Sequence, residues 1–201
     1  MKRGKIYSFV GPSGGGKSYA ANEIIGESNY NGIPCISVDF SDGIRNVLNV
    51  IFTGKEFDVE LNNDDYLTWK KYIQEILLPN GEIIDVDGRT MLKNLGEFLK
   101  ERIGEEIWAN WALNILMKKY YELDIVSRNA CNIIFGSLRF DVELKAILKC
   151  AEFTKKDVEI IYCNYNNIPL KNGYVHPSEK LAQGLIKYGF KHREIVTEYL
   201  L

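Results

Sequence analysis

The chain has no run of about 20 consecutive apolar residues, so no segment reads as a membrane-spanning helix. Cysteine is scarce and scattered. Cys35, Cys131, Cys150 and Cys163 form no C-x-x-C pair, which leaves neither a zinc nor a dithiol redox motif and favours reduced, partly buried thiols. Neither charge sign dominates: 25 Lys plus Arg stand against 27 Asp plus Glu, a net charge of -2. A global basic surface of the kind that holds duplex nucleic acid is therefore excluded, and a nucleic acid polymer is not an expected partner. The basic start Met1-Lys2-Arg3-Gly4-Lys5 is followed only by the short apolar stretch Ile6 to Val10, too brief for the core of a signal peptide. A cytoplasmic location is expected, with no membrane partner. Repeats and low-complexity tracts are absent.

What is present suits one sizeable core: 201 residues, of which 46% are hydrophobic and 26% charged. Short apolar runs bounded by turn residues alternate with longer segments of helical period, the pattern of an α/β fold with a parallel sheet flanked by helices. Expected strands are Ile6 to Val10, Cys35 to Asp39, Asn132 to Ser137 and Val158 to Cys163. Expected helices run from Gly16 to about Ile25, Asp42 to Phe52, Tyr66 to Leu78, Thr90 to Ile103, Glu105 to Leu123, Val142 to Phe153 and Ser178 to Tyr188. Tyr66 to Leu123 contains three helical patterns and no convincing strand. It reads as a helical lobe, at about residues 55–125, inserted in a single domain spanning 1–201, with Pro79-Asn80-Gly81 and Asp87-Gly88 as turns inside it.

The most specific motif is Gly11-Pro12-Ser13-Gly14-Gly15-Gly16-Lys17-Ser18, placed between the first expected strand and the first expected helix. That is the context a phosphate-binding P-loop requires. Glycines let backbone N–H groups turn inward around phosphate oxygens, and the helix that follows adds the positive end of its dipole. Lys17 has the reach for β- and γ-phosphates, the Ser18 hydroxyl is placed to ligate Mg²⁺, and Tyr19 follows in the first helical turn. A nucleoside triphosphate with magnesium is the expected ligand. The motif does not say what becomes of the γ-phosphate.

A phosphorylated acceptor beside ATP sets two anions against each other, so further cations are needed, and the planar fork of arginine suits phosphate. Arg45 follows the second expected strand and Arg139 the third, and residues just past the carboxyl ends of parallel strands converge on the ligand crevice. Arg89 opens the Thr90 helix and Arg102 closes it; on periodicity alone solvated surface positions explain both equally well. Glu143, four residues after Arg139, is spaced to hold that guanidinium or to form an ordinary surface ion pair. Asp39 ends the second strand, where it can order the metal shell, bind a sugar, or cap a helix together with Ser41 and Asp42. Trp108 and Trp111 share a helix face; core packing is the default, stacking on a base the alternative.

Taken in order, the glycine-rich loop, Asp39-Phe40-Ser41-Asp42-Gly43-Ile44-Arg45, Gly88-Arg89-Thr90-Met91-Leu92-Lys93-Asn94-Leu95-Gly96-Glu97, Arg102, Ile107-Trp108, Leu138-Arg139-Phe140-Asp141-Val142-Glu143 and His176-Pro177-Ser178-Glu179 resemble the phage-type deoxynucleoside monophosphate kinases. The resemblance covers about residues 5–180 and implies a P-loop kinase fold, transfer of the ATP γ-phosphate to a deoxynucleoside 5′-monophosphate with Mg²⁺, and a location in the host cytoplasm if the chain is phage-encoded. By position it implies that Arg89, Arg102 and Arg139 bind the acceptor or the transition state and that Trp108 is a base contact or a packing residue of the acceptor lobe. Together with the reading of the residues, this gives catalytic roles to Lys17 and Arg139, contacts to the ATP phosphates from Gly11, Ser13, Gly14, Gly15, Gly16, Lys17, Ser18 and Tyr19, and an acceptor site drawn from Asp39, Arg45, Arg89, Arg102, Trp108 and Glu143. One departure stands out. Gly136-Ser137-Leu138 occupies the strand end where the family pattern leads one to expect an acidic residue, and Asp39 and Asp141 are the available replacements. The same residues admit a kinase for another small acceptor such as a sugar acid, or a nucleotide-binding regulatory protein that has lost transfer; a motor-type ATPase would want an apolar strand ending in acid, which neither Asn132 to Ser137 nor Val158 to Cys163 supplies. Base preference, deoxyribose against ribose, and oligomeric state, a homodimer included, are left open by the sequence.

Overall fold

The computed structural model of the chain describes residues 3–12, 14–53, 73–77, 79–164 and 192–195, and for 49, 51–53, 73–77, 84–86, 89 and 192–195 it describes the backbone alone. In chain order the elements are β1 (Ile6–Val10), α1 (Lys17–Tyr30), β2 (Cys35–Val38), α2 (Asp42–Thr53), β3 (Ile73–Leu77), β4 (Ile83–Asp87), α3 (Gly88–Ile103), α4 (Ile107–Glu122), α5 (Ile125–Ala130), β5 (Asn132–Ser137), α6 (Asp141–Thr154), β6 (Val158–Cys163) and β7 (His192–Ile195). They fall into two compact units, Met1–Phe40 with Ala109–Leu201, and Ser41–Trp108.

The first unit is the α/β fold expected: a parallel sheet in the order β2-β5-β1-β6-β7 flanked by helices. Its central strands are buried on both faces, which is why they read as continuous apolar runs. Alternate residues separate into two clusters. Ile6, Val10, Ile36, Val38, Ile133, Phe135 and Ile160 pack with α4 and α6 residues such as Ala112, Leu116, Ile147 and Cys150. Phe9, Ile134, Ile161 and Cys163 pack with Ala20 of α1, backed by Ile24 and Ile25. Four strands lie where the sequence placed them; β7, which joins β6 in parallel, and the short helix α5, capped by Asp124 accepting from the Val126 and Ser127 N–H groups, were not foreseen.

The second unit departs from the helical lobe expected. Residues 73–77, expected as the end of a Tyr66 to Leu78 helix, form β3, which pairs antiparallel with β4 so that Ile73 faces Asp87 and Leu77 faces Ile83. The run Ile73-Gln74-Glu75-Ile76-Leu77 fits either period, and pairing across the turn decides it. That turn holds Pro79-Asn80-Gly81 as read, with Gly81 at a φ of 84° and the Asn80 side chain accepting from the Glu82 N–H. Asp87-Gly88 is not a turn within the lobe but the start of α3: the Asp87 carboxylate caps it, accepting from Thr90 N–H at 2.9 Å and from the Thr90 hydroxyl at 2.8 Å. Within this unit α2 approaches α3 at Gly96, where a Cβ would lie 3.1 Å from Ile44 Cδ1, so that position needs to be small. The expected helix from Ser178 to Tyr188, residues 66–72 and His176 lie outside the described residues.

Candidate phosphate-binding site

β1 delivers the chain into the loop and α1 takes it away, with Gly16 in the left-handed conformation (φ 86°) as the N-cap. The Gly16 N-cap brings no side-chain cap and no acidic residue occupies the first turn of α1, a helix start suited to an anion. Lys17 Nζ donates to the carbonyls of Gly11 at 2.9 Å and Pro12 at 2.7 Å, which holds the ammonium over the loop. The Gly15 N–H closes the turn onto Pro12 O at 3.0 Å. Ser18 is exposed next to Lys17, and Tyr19, also exposed, gives its hydroxyl to Glu23 at 3.0 Å. Ser13 lies outside the described residues.

The sheet explains two of the glycines that a phosphate argument alone assigns to the ligand. The carbonyl of Cys163, at the end of β6, crowds both: a Cβ on Gly11 would overlap it, and one on Gly15 would lie 2.6 Å from it. Burial pushes the Cys163 thiol up to about 11, against the nearby Lys17 charge that lowers it, so the thiol stays protonated beside the loop at neutral pH.

Two strands away, Asp39 follows β2 and Phe40 fixes its place: the Phe40 ring is buried and stacks on Phe135 with centroids 5.4 Å apart. The Asp39 Oδ2 accepts from the Ser137 N–H at 3.2 Å. Its carboxylate occupies the space beside Gly136 so closely that a Cβ there would overlap it. The carboxylate at this end of β5 thus arrives from β2, and β5 has glycine to admit it. Buried Ser8 adds a bond from its hydroxyl to the Gly136 carbonyl at 3.2 Å. Register places Val38 opposite Phe135 and Phe9 opposite Ser137, so Asp39 and the loop leave the same edge of the sheet, about 10 Å apart by two strand spacings.

Arg139 stands at that edge too, half-exposed between β5 and α6, and among the described residues its guanidinium makes no ion pair. Glu143 does not hold the guanidinium as its spacing suggested. Its Oε2 accepts instead from the backbone N–H groups of Arg139 at 2.6 Å and Phe140 at 3.1 Å. Burial is the main cause that pushes the Glu143 carboxyl from 4.5 up to about 7, opposed by the Arg139 N–H bond and charge, with Asp39 raising it further.

The remaining predicted residues belong to the second unit. Arg45 pairs with Asp42 one turn earlier on α2, Nη1 to Oδ1 at 2.8 Å. Arg89 is the second residue of α3. Arg102, exposed at the end of α3, lies over the exposed ring of Phe98 at 5.7 Å. Trp108 is 6% exposed and its indole N–H donates to Gly96 O at 3.3 Å, a packed position and not a surface for stacking. The sequence missed the roles of Gly136 and the Cys163 carbonyl; a glycine inside an apolar strand is the signal that pointed to the first.

No protein-family model matches the chain and no curated protein does. Among solved structures, the Mycobacterium tuberculosis APS kinase CysC in complex with AMPPNP and APS is 15% identical, with 100% of this chain and 84% of that one covered and a TM-score of 0.36. Bacillus subtilis MobB is 14% identical, with 92% of this chain and 97% of that one covered and a TM-score of 0.27. At such identities and TM-scores neither likeness identifies a relative or a substrate. Among the described residues no helix is long and apolar enough to cross a membrane, and no group of three His, Cys, Asp or Glu side chains is placed to hold a metal ion by itself.

Proposed function

We propose that the chain is an ATP-dependent phosphotransferase, a P-loop kinase that moves the γ-phosphoryl group to a deoxynucleoside 5′-monophosphate to give the diphosphate. The observation that carries it is the Lys17 ammonium held on the Gly11 and Pro12 carbonyls of a strand–loop–helix of P-loop sequence, beside a helix N-terminus whose Gly16 N-cap has no side chain. The acceptor assignment rests on the motif resemblance around Arg45, Arg89, Arg102 and Arg139. Loop N–H groups and Lys17 bind the phosphates and orient the terminal one. Arg139 neutralises charge on the group in flight. An acceptor monophosphate oxygen is already anionic near neutral pH, so it attacks in line without a protein base and without a covalent enzyme intermediate.

Magnesium fits the donors at this edge. A hydroxyl at Ser18 and a carboxylate at Asp39 are hard oxygen donors of the kind Mg²⁺ takes together with phosphate oxygens and water. Ser18 and Asp39 would hold the ion, which would supply positive charge to offset that of the ATP phosphates.

A second reading, transfer to another small anionic acceptor such as a sugar acid, is favoured by one observation: Trp108, the aromatic proposed to meet a base, is packed with its N–H bonded to Gly96. ADP release with ATP and Mg²⁺, measured against a panel of deoxy- and ribonucleoside monophosphates, sugar acids and no acceptor, separates the readings. Turnover that depends on a deoxynucleotide supports the first. Turnover with a sugar acid alone establishes the second, and binding of ATP with no stimulation by any acceptor overturns both in favour of a nucleotide-binding regulator.

A further inference from the structure

We propose that Glu143 is a positioning residue for Arg139: its carboxylate grips the backbone on both sides of the Arg139 carbonyl and so aims the guanidinium at the phosphoryl group leaving the P-loop. The inference rests on the phosphotransfer reading above. Three features carry it. First, the segment from β5 to α6 is pinned at each residue, with Leu138 N–H donating to Phe9 O at 2.8 Å on β1, and the Arg139 and Phe140 N–H groups donating to Glu143 Oε2. Arg139 is thereby tied to the strand that leads into the phosphate loop and to the first turn of α6, while its half-exposed side chain makes no ion pair among the described residues.

Second, the N-cap of α6 is Phe140, whose side chain has no acceptor for the first-turn N–H groups, and Glu143 at the third helical position makes the other half of a capping box by reaching back to the Phe140 N–H. Reaching back from there, it engages the N–H of the residue before the cap as well as that of the cap. Third, the arrangement is placed at the expense of solvation: Glu143 is 8% exposed, among the few charged side chains buried here, and the charges that face it are the Arg139 guanidinium and the Asp39 carboxylate. Burying an acid at the carboxyl edge of the sheet, beside an arginine that is itself left accessible, is what fixing that arginine requires and what capping a helix in solvent does not.

The test measures how strongly fluoroaluminate tightens ADP and Mg²⁺, a mimic of the phosphoryl group in transfer that needs no acceptor. Arg139→Ala, Glu143→Ala, Glu143→Asp, Glu143→Gln and the double variant Arg139→Ala/Glu143→Ala are compared, with thermal unfolding recorded for each. The expected result is roughly tenfold or greater loss of tightening in Arg139→Ala and in Glu143→Ala, with affinity for ADP alone within about twofold of the unmodified protein. Glu143→Gln keeps an oxygen for both N–H groups and retains the tightening. Glu143→Asp retains the charge but is too short to reach, and follows Glu143→Ala, which guards against a loss caused by an unfolded alanine variant. The double variant is no worse than Arg139→Ala alone. Loss in Arg139→Ala with full tightening in both Glu143→Ala and Glu143→Asp overturns the positioning role and leaves the phosphotransfer reading standing. Losses that multiply in the double variant, or a Glu143→Gln variant as poor as Glu143→Ala, likewise overturn it. No tightening in the unmodified protein, or tightening indifferent to Arg139→Ala, overturns the reading of Arg139 on which it rests.

Discussion

The carboxylate of Asp39 fills the space that a side chain on Gly136 would need, and it holds the backbone N–H of Ser137 next to that glycine. The two positions are therefore coupled, since one strand supplies the acid and its neighbour supplies the room. Gly136→Ala must displace the Asp39 carboxylate or shift β5, whose Phe135 is fully buried against Phe40. We expect a stability loss of about 1–3 kcal/mol by urea unfolding. Nucleotide affinity is expected to lose much of its Mg²⁺ dependence, as it also does in Asp39→Asn, which fits the space but lacks the charge. Affinity for Mg²⁺–ATP unchanged in both variants would remove Asp39 from the metal side of the site.

Lys17→Ala removes the ammonium that bridges Gly11 O and Pro12 O. The two bonds together are worth about 2 kcal/mol on this partly exposed loop, so the melting temperature falls by roughly 4–8 °C or less. Turnover is expected to fall by roughly two or more orders of magnitude, because charge on the transferring phosphoryl loses its principal cation. Near-normal turnover in a folded Lys17→Ala preparation contradicts the assignment of the loop.

Trp108→Phe separates packing from base recognition. The substitution keeps most of the buried ring and deletes the N–H donor to Gly96 O. A stability loss of about 1–2 kcal/mol, with the acceptor KM unchanged, is expected from a packed tryptophan. A raised acceptor KM at unchanged stability would instead make it a contact to the base.

Strands β1, β2, β5 and β6 and the phosphate loop were legible because their signals are local: continuous apolar runs bounded by turn residues, and glycines at fixed offsets from Lys17. The β3–β4 hairpin was not. Its first strand carries apolar residues at both helical and extended spacing, and only the partner Ile83-Ile84-Asp85-Val86-Asp87, across the turn, selects the strand. The site shows the same division. Lys17 and the placement of Asp39 and Arg139 at strand ends follow from the pattern of a parallel sheet, whereas the Asp39–Gly136 exchange and the Cys163 carbonyl behind Gly11 are contacts between strands distant in sequence. Glu143 shows the limit of spacing: four residues from Arg139 brought the two together, yet the bonds formed are to the backbone.

Glu143 also makes stability depend on pH in a way the sequence does not announce. Its folded-state carboxyl titrates at about 7 against an ordinary 4.5, chiefly because burial penalises the charged form. Between those values the folded protein binds a proton that the unfolded chain has released. Stability from this group is therefore fully present below about 4.5 and is lost as pH rises to about 7, by up to on the order of 3 kcal/mol. Glu143→Gln keeps an acceptor for the Arg139 and Phe140 N–H groups and removes the titration. Urea unfolding of both proteins from pH 4.5 to 8 isolates the effect, since other groups titrate alike in the two and cancel in the difference. The stability of the unmodified protein relative to Glu143→Gln is expected to fall steadily up to about pH 7 and to level off above it. Parallel curves would mean that the carboxylate is stabilised in place as strongly as in water, with the Arg139 and Phe140 N–H bonds and the Arg139 charge offsetting its burial in full.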